Sequence, residues 1–175
     1  MLPLPVRARP RMDRDALYRE VTEKHGAALG RLAAGYEAEP ERRRDLLQDI
    51  HASVWKSLEL FDQRCTLRTW VFRVAHNVGT THLIRHAGVR FVELEDVSAE
   101  VDVEEAAGRS LVMSRVLTLI HALSPLERQV IMLYLEGLDA LVIAEITGLT
   151  PSNVATRVHR IKAVLAKRFH QRGAP

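Results

Sequence analysis

The stretch LTPSNVATRVHRIKAVL, residues 149–165, joins the signals of a helix start to side chains that can contact a nucleic acid. Thr150 can cap the helix, and Pro151 suits its first position, where a missing N–H costs nothing. The polar and basic side chains of the following turns are types that bind base edges and phosphates: Ser152, Asn153, Thr156, Arg157 and Arg160. Arginine can bridge one guanine with two hydrogen bonds or bind a phosphate, and the sequence leaves both roles open here.

Apolar residues recur in the same stretch at spacings of four, three and four, which predicts one buried helical stripe: Val154, Val158, Ile161 and Leu165. An ordinary solvated amphipathic helix would look similar. The residues before it favour DNA contact instead. A short helix capped by Asp139 and running through Thr147 is predicted to end at Gly148, three residues before the basic helix. This arrangement is the helix-turn-helix pattern, whose second helix enters the major groove.

The helix that precedes this pair is also well marked. Ser124, Pro125 and Glu127 match a capping box with proline at the first helical position, and Gly137 can end the helix. Its apolar face is predicted from four residues: Val130, Ile131, Leu133 and Tyr134. An ordinary helical hairpin in a bundle is the alternative. The helix start and end signals, together with the basic second helix, favour DNA binding.

Charge is unevenly placed along the 175 residues, which carry a net charge of +3. Residues 93–105 hold seven acids and no lysine or arginine, so the rest of the chain is more basic than the overall value. That asymmetry suits basic surfaces that face a polyanion, with an acidic joint between them. The joint is either a solvated spacer or an element that threads a basic channel of a partner.

The composition also excludes several classes of protein. The lone Cys65 rules out an internal disulfide framework and predicts a cytoplasmic location, associated with the nucleoid if DNA is the partner. No apolar run approaches the length of a membrane span, so no membrane partner is expected. The chain shows no phosphate-binding glycine loop, nucleophile elbow or paired carboxylates, so we predict no enzyme, no catalytic residues and no cofactor. His82 and His86 have the spacing of a zinc pair but no third ligand nearby, so no metal is expected.

Helical periodicity without strand alternation predicts an all-α fold with two small helical domains joined by the acidic linker. Helices are expected over 13–35, about 41–60, about 66–87 and 107–123 in addition to those above. In the second, the spacing predicts a buried stripe: Leu47, Ile50, Val54 and Leu58. The predicted organisation is a disordered arm over 1–12, a domain over 13–92, the linker over 93–106, and a helix-turn-helix domain over 107–175.

Two blocks in this order resemble the sigma-70 superfamily of bacterial transcription initiation factors, specifically its extracytoplasmic-function (ECF) group. They are DLLQDIHASVWKSLELFDQRCTLRTWVFRVAHNVGTTHLIRH, residues 45–86, and LSPLERQVIMLYLEGLDALVIAEITGLTPSNVATRVHRIKAVL, residues 123–165. The resemblance implies a sigma region 2-like domain, a sigma region 4-like domain, and a dissociable subunit of RNA polymerase. Core RNA polymerase and promoter DNA are the implied partners, and an anti-sigma factor is a further partner class.

Residue by residue, the resemblance implies three sets of contacts. Binding to core polymerase is carried over to Asp45, Leu46, Gln48, Asp49 and Trp55. Contact with the melted minus-10 element is carried over to Arg73, His76, Asn77 and Arg85, which offer flat or cationic groups to exposed bases and phosphates. Contact with the minus-35 element is carried over to Ser152, Asn153, Thr156, Arg157 and Arg160.

The first block departs from the group's pattern. The group usually carries an arginine where this chain has His76, an acid where Thr81 stands, and a denser arginine cluster near residue 85. Two other function classes remain open from the sequence. A stand-alone helix-turn-helix regulator would bind a palindrome as a dimer, and a protein-interaction module would dock its basic helix on an acidic partner. We also expect that the two domains of the free protein pack together and mask DNA-binding surfaces.

Overall fold

The computed structural model describes residues 13–86 and 109–171, and these ranges contain seven α-helices and no strand. The helices are α1 Arg14–Tyr36, α2 Pro40–Ser57, α3 Leu67–His86, α4 Arg109–His121, α5 Pro125–Leu135, α6 Ala140–Thr147 and α7 Pro151–Gln171, with a 3₁₀ turn at Leu58–Leu60. The predicted all-α class is therefore confirmed. The predicted arm over 1–12 and the linker over 93–106 lie outside the described residues, as do residues 87–92, 107–108 and 172–175.

The helix ends of the C-terminal half form where the sequence signals them. Asp139 Oδ1 accepts from the Val142 N–H at 2.9 Å, and Thr150 Oγ1 accepts from the Asn153 N–H at 3.2 Å. Gly148 ends α6 with φ of 76°, a left-handed conformation that favours glycine because it has no Cβ. The caps therefore fix the short turn between α6 and α7 that the helix-turn-helix pattern requires.

Helices α1, α2 and α3 pack against one another around a core that includes Leu29, Leu32 and Phe72. The predicted stripe of α2 is only partly correct. Ile50 and Val54 are buried, but Leu46 is buried with them, whereas Leu47 is half-buried. Leu46 precedes Ile50 by one helical turn and faces α1 and α3. The core-facing side of α2 is therefore rotated towards residue 46.

A polar pair lies inside this N-terminal core. The Tyr36 hydroxyl and His76 Nδ1 are 2.9 Å apart, and both side chains are buried. The Tyr36 ring also lies against Gly79, where an added Cβ would meet the ring at 2.6 Å. Glycine at position 79 thus allows α1 and α3 to approach closely enough for the hydroxyl to reach the imidazole.

The C-terminal helices α5, α6 and α7 enclose a second group of buried residues: Ile131, Leu133, Ile143, Val154 and Ile161. Val158 completes the predicted stripe of α7, and Leu165 is half-buried. The predicted apolar face of α5 is wrong at Tyr134, which is 38% exposed because it turns outward beside Lys162. Its ring packs against the Lys162 ammonium at 5.2 Å instead of entering the core.

The two groups of helices are joined by continuous buried contacts, in agreement with the expectation that the domains pack together. At the closest point the thioether of Met132 occupies the space that a side chain at position 35 would need, and Gly35 leaves it open. Carbonyls in the last turn of α1, which have no partner within the helix, accept hydrogen bonds from the other domain. His121 Nε2 donates to the Ala34 carbonyl at 2.8 Å, and Arg128 reaches the Gly35 carbonyl.

Ion pairs surround this boundary. Arg31 donates two parallel hydrogen bonds to the Glu136 carboxylate, each 2.7 Å long, and Arg68 donates to the Glu136 main-chain carbonyl. Arg73 of α3 donates to Glu145 of α6 at 2.6 Å. The Arg31 and Arg73 bridges each place an N-terminal arginine on a C-terminal carboxylate. Charge complementarity therefore favours the packed arrangement.

Candidate nucleic-acid interface

The polar residues at the start of α7 lie on the protein surface, above the helix's buried stripe. Ser152, Asn153 and Thr156 are exposed, while Val154 and Val158 turn into the core. Burial of the stripe fixes the rotation of the helix, and so it fixes which side chains face outward. The N-terminal turns of α7 are thereby presented to solvent, as the recognition helix of a helix-turn-helix must be.

The two arginines of this surface are held in place by other side chains. Arg157 Nε donates to Asn153 Oδ1 at 2.7 Å, one turn earlier on the same helix. Arg160 donates to Glu127 Oε1 at 2.8 Å, and Arg157 lies 4.0 Å from the same oxygen. Glu127 belongs to α5 and is almost completely buried. The arginine surface of α7 therefore depends on a buried carboxylate of a different helix.

The predicted capping box at the start of α5 is wrong. Ser124 makes no side-chain hydrogen bond to the helix N–H groups; its hydroxyl instead donates to Glu127 Oε2 at 2.9 Å. The second oxygen of Glu127 is then available to the α7 arginines. Sequence reasoning correctly picked out Ser124 and Glu127 but missed that the glutamate acts across the domain.

The predicted minus-10 surface on α3 is split between exposed and occupied residues. Asn77 and Arg85 are exposed. Arg73 is half-buried in its ion pair with Glu145. The three residues lie on one helix, but in the packed arrangement the charge of Arg73 is engaged by the other domain.

His76 does not belong to this surface, and its prediction as a DNA contact is wrong. Its side chain is fully buried against Tyr36 and Phe72. Burial lowers the pKa of His76 to about 3 and raises the pKa of Tyr36 to about 12, so both are neutral near pH 7. A neutral imidazole on the buried side of α3 can support the packing of the helix, but it cannot reach a phosphate.

The aromatic and histidine side chains of α3 are also largely occupied within the protein. Phe72 is buried, and the half-buried Trp70 donates its indole N–H to Ser57 Oγ at 3.0 Å. His82 Nε2 lies 2.8 Å from Oε2 of Glu37, the residue that follows α1, so His82 is paired within the protein. Among the described residues, no group of three histidine, cysteine or acidic side chains is arranged to hold a metal ion.

The face of α2 opposite the core carries the predicted polymerase-binding residues. Asp45, Gln48 and Asp49 are exposed on successive turns of one side. Trp55 is half-buried, with the Arg14 guanidinium 3.5 Å from its ring centre and its indole N–H 3.3 Å from Asp15. Leu46 cannot join this face with its side chain, because it is 1% exposed. Its assignment as a polymerase contact is wrong for that reason.

Comparison with known proteins identifies both halves of the chain. The family description "Sigma-70 region 2" matches residues 21–88, and "Sigma-70, region 4" matches residues 113–165. Together the matched ranges cover more than two thirds of the chain. The N-terminal match contains α2 and α3, and the C-terminal match contains α5, α6 and most of α7. None of the helices in the described ranges is long and apolar enough to cross a membrane.

Relatives agree with this assignment over most of their length. The RNA polymerase sigma factor NccH of Alcaligenes xylosoxydans xylosoxydans is 25% identical over 154 residues, which span 83% of each protein. The fold is similar to CnrH solved with the cytosolic domain of CnrY, with a TM-score of 0.67, 22% identity and 91% of each chain covered. It is also similar to the sigma factor RpoE solved with the anti-sigma factor NepR from Bartonella quintana, with a TM-score of 0.68 and 21% identity over 86% of this chain and 94% of that one.

None of these matches supports a stand-alone dimeric regulator. Members of the matched family are DNA-binding regulators rather than enzymes, which agrees with the absence of catalytic motifs from the sequence. With both regions present in order and the fold shared along the chain, this protein belongs to the sigma-70 superfamily as an ECF sigma factor, a subunit that binds core RNA polymerase and directs it to promoters.

Proposed function

We propose that three surfaces of this sigma factor divide promoter recognition among them. The exposed face of α2, formed by Asp45, Gln48 and Asp49 with Trp55 beside it, binds core polymerase. The outer face of α3 contacts the minus-10 element through Arg73, Asn77 and Arg85. The start of α7 reads the minus-35 element through Ser152, Asn153, Thr156, Arg157 and Arg160. The functional domains correspond to residues 13–92 and 107–175.

The exposed start of α7 is the observation that carries this proposal. Its polar residues project from a helix whose opposite side is locked into the core by Val154, Val158 and Ile161. Gly148 and Thr150 set the turn before it. Because its buried side fixes its position, the helix can enter a major groove as a rigid body. Its exposed side chains then meet the base edges in one fixed arrangement.

The packed domains cannot reach both promoter elements at once. The two elements are named for positions roughly 25 base pairs apart, and at 3.4 Å per base pair they lie on the order of 85 Å apart along the duplex. In the structure α3 and α6 touch through Arg73 and Glu145. Promoter binding therefore requires these domains to separate, and the same step releases Arg73 for DNA.

Two of the similar structures are complexes in which a partner protein holds the sigma factor: the cytosolic domain of CnrY and the anti-sigma factor NepR. We extend this to an anti-sigma factor as a regulator of the present chain. We place the protein in the cytoplasm at the nucleoid, where polymerase and promoters are found. Its own contribution is binding and positioning, while core polymerase performs the chemistry.

Run-off transcription tests the proposal. Core RNA polymerase from the host bacterium would transcribe a library of host promoters with and without the protein. We expect a set of transcripts that depends on the protein and shares two upstream elements. Arg157→Ala should reduce transcription from promoters with an intact minus-35 element more than from promoters in which it is scrambled. Absence of any dependent transcript would contradict the proposed surfaces.

Charge-reversal variants separate polymerase binding from DNA binding. Asp49→Arg on the α2 face should abolish co-purification with core. Glu23→Arg makes the same charge change at an exposed residue of α1 and should bind core normally. Equal binding by both variants would remove the α2 face from the proposal while leaving the minus-35 surface unaffected.

A further inference from the structure

Glu127 occupies an unusual place for a charged residue. It is 4% exposed, at the third position of α5, and it lies between the N-terminal end of that helix and the arginine face of α7. A buried carboxylate is costly unless hydrogen bonds and opposite charges compensate it. The partners of the Glu127 carboxylate therefore indicate its role.

Each oxygen of the carboxylate has a separate partner. Oε2 accepts from the Ser124 hydroxyl at 2.9 Å, which fixes the orientation of the group. Oε1 accepts from Arg160 at 2.8 Å and lies 4.0 Å from an Arg157 terminal nitrogen. The N-terminal end of α5 adds a favourable dipole for the negative charge. One glutamate on a different helix thus contacts both arginines of the recognition surface.

We propose that Glu127 is a positioning residue for minus-35 recognition: it orients Arg157 and Arg160 so that their remaining donors face the DNA in one fixed arrangement. This inference rests on the proposed role of α7 at the minus-35 element. Glu127 touches no DNA itself. Its effect on base selection passes entirely through the two guanidinium groups.

The two arginines keep enough donors for this role. A guanidinium carries five N–H donors in a planar fork, and Glu127 takes one of those of Arg160 at hydrogen-bond distance. Arg160 remains 55% exposed despite the ion pair. An arginine that is held at one edge and open at the other loses less side-chain freedom on binding, and this favours recognition of one arrangement of acceptors.

The positions of Arg157 and Arg160 along α7 also distinguish contact with bases from contact with phosphates. Arg157 lies about 4.5 Å nearer the start of α7 than Arg160, since each residue advances the helix by ~1.5 Å. The N-terminal residues of a recognition helix are the ones that reach base edges. Asn153 and Glu127 approach the guanidinium of Arg157 from two sides. Arg157 is therefore the base-reading arginine, and Arg160 binds phosphate from its place beside Glu127.

Binding of the holoenzyme to two promoter duplexes tests this inference, one with the minus-35 element intact and one with it scrambled. The protein is the full chain assembled with core. For Glu127→Gln, which keeps the shape but removes the charge, we expect the ratio of the two affinities to fall about tenfold, within the range for one base contact. Affinity for the scrambled duplex should stay within about twofold, because the arginines keep their charge and still attract phosphate.

Glu20→Gln is the matched control, since it removes the same charge at a surface residue of α1 that forms an ion pair with Lys24, far from α7 in the sequence. Its affinity ratio should equal that of the wild type. An unchanged ratio for Glu127→Gln, or an equal loss of affinity for both duplexes, would overturn the inference. If the wild-type holoenzyme itself does not distinguish the duplexes, the proposed minus-35 surface fails instead.

A milder variant covers the case in which Glu127→Gln does not fold. Ser124→Ala removes only the hydroxyl that orients the carboxylate and keeps its charge. We expect the affinity ratio to fall about threefold with a normal far-ultraviolet circular dichroism spectrum, because the carboxylate loses the hydrogen bond that orients one oxygen but keeps its charge and its pairing with Arg160. A folded Ser124→Ala protein with an unchanged ratio would count against the positioning role.

Discussion

The two proposed DNA-binding surfaces differ in which domain supplies the carboxylate that pairs with their arginine. On α7, Arg160 pairs with Glu127 of its own domain. On α3, Arg73 pairs with Glu145 of the other domain. The first pair can persist while the domain moves as a unit, whereas the second must break when the domains part. On the proposed assignment, the minus-35 surface is formed in the free protein, whereas the minus-10 surface gains a free Arg73 only after the domains open.

The supports beneath these surfaces differ as well. Helix α7 rests on an aliphatic stripe, whereas α3 rests partly on the buried Tyr36–His76 hydrogen bond. A hydrogen bond in a dry core is sensitive to loss of either partner, because the remaining group is left buried and unpaired. We therefore expect the support of α3 to be the easier of the two to disrupt.

The largest expected effect follows from removing that support. His76→Ala should lower the free energy of unfolding by about 2–4 kcal/mol, through a cavity and because the Tyr36 hydroxyl keeps only its longer contact, 3.4 Å to Thr80 Oγ1. Urea denaturation followed by circular dichroism measures it. Asn77→Ala, the next residue but exposed, should change stability by less than ~0.5 kcal/mol while it weakens promoter opening. Equal stability of the two variants would show that the buried pair does not support α3.

Acid should act on the same support. Burial lowers the pKa of His76 from its ordinary value of 6.5 to about 3. Below pH 6.5 the imidazole is therefore protonated in the unfolded chain but stays neutral in the folded chain. The contribution of the neutral imidazole to the free energy of unfolding is fully present above pH 6.5. It decreases as the pH drops and is lost by about pH 3. Between pH 7 and pH 5 the loss from this residue is ~2 kcal/mol.

Urea midpoints at the two pH values check this expectation, and His76→Gln should flatten the slope. Burial also lowers the pKa values of His25, His51 and His121, so a residual slope of the same sign remains in that variant. A variant whose slope matches that of the wild type would assign the acid sensitivity to those other histidines and not to the support of α3.

Reversing a charge at the domain boundary should shift the balance between packed and open forms. Glu136→Arg replaces the bidentate bridge to Arg31 with a repulsion, and we expect ~1 kcal/mol in favour of opening, or about fivefold in the ratio of the two forms. Small-angle X-ray scattering would show a larger radius of gyration. The double variant Arg31→Glu/Glu136→Arg should return towards the wild-type radius, and a failure to do so would remove this bridge from the boundary's energetics.

The smallest expected effect concerns the pair on α3. Glu145→Gln leaves the fold intact and releases Arg73, so open-complex formation by the holoenzyme should accelerate about twofold, consistent with ~0.4 kcal/mol for a half-exposed ion pair. Stopped-flow fluorescence on a labelled promoter would resolve this. Arg73→Gln/Glu145→Gln should show no acceleration. A rate for Glu145→Gln equal to that of the wild type would mean that the ion pair does not restrain the minus-10 surface.

The sequence predicted those features that depend on neighbours along one helix. The stripe of α7 and the caps at Asp139, Gly148 and Thr150 are local, and the structure confirms them. The face of α2 was harder to place because Leu46 and Leu47 both continue a helical stripe through Ile50. Only the positions of α1 and α3 decide between them, and that information is not in the segment itself.

Features that join distant residues were not predictable in this way. The His76 side chain is polar and stands where the sigma-factor group usually has an arginine, yet it is buried against Tyr36, 40 residues earlier. Glu127 matched a local capping signal, but its strongest partner lies 33 residues later. The bridge from Arg31 to Glu136 spans 105 residues. No periodicity or spacing rule reports on contacts of that range.

The close approach of Gly35 and Met132 gives the chain a means of tuning its output. If only the open form is competent at promoters, its apparent dissociation constant for them equals the intrinsic value divided by the open fraction. An alanine at position 35 would displace the flexible end of the Met132 side chain, and the open fraction would rise by whatever free energy that displacement costs the packed form. A replacement that destabilises the packed form in this way would raise the apparent promoter affinity, with every nucleotide contact left intact.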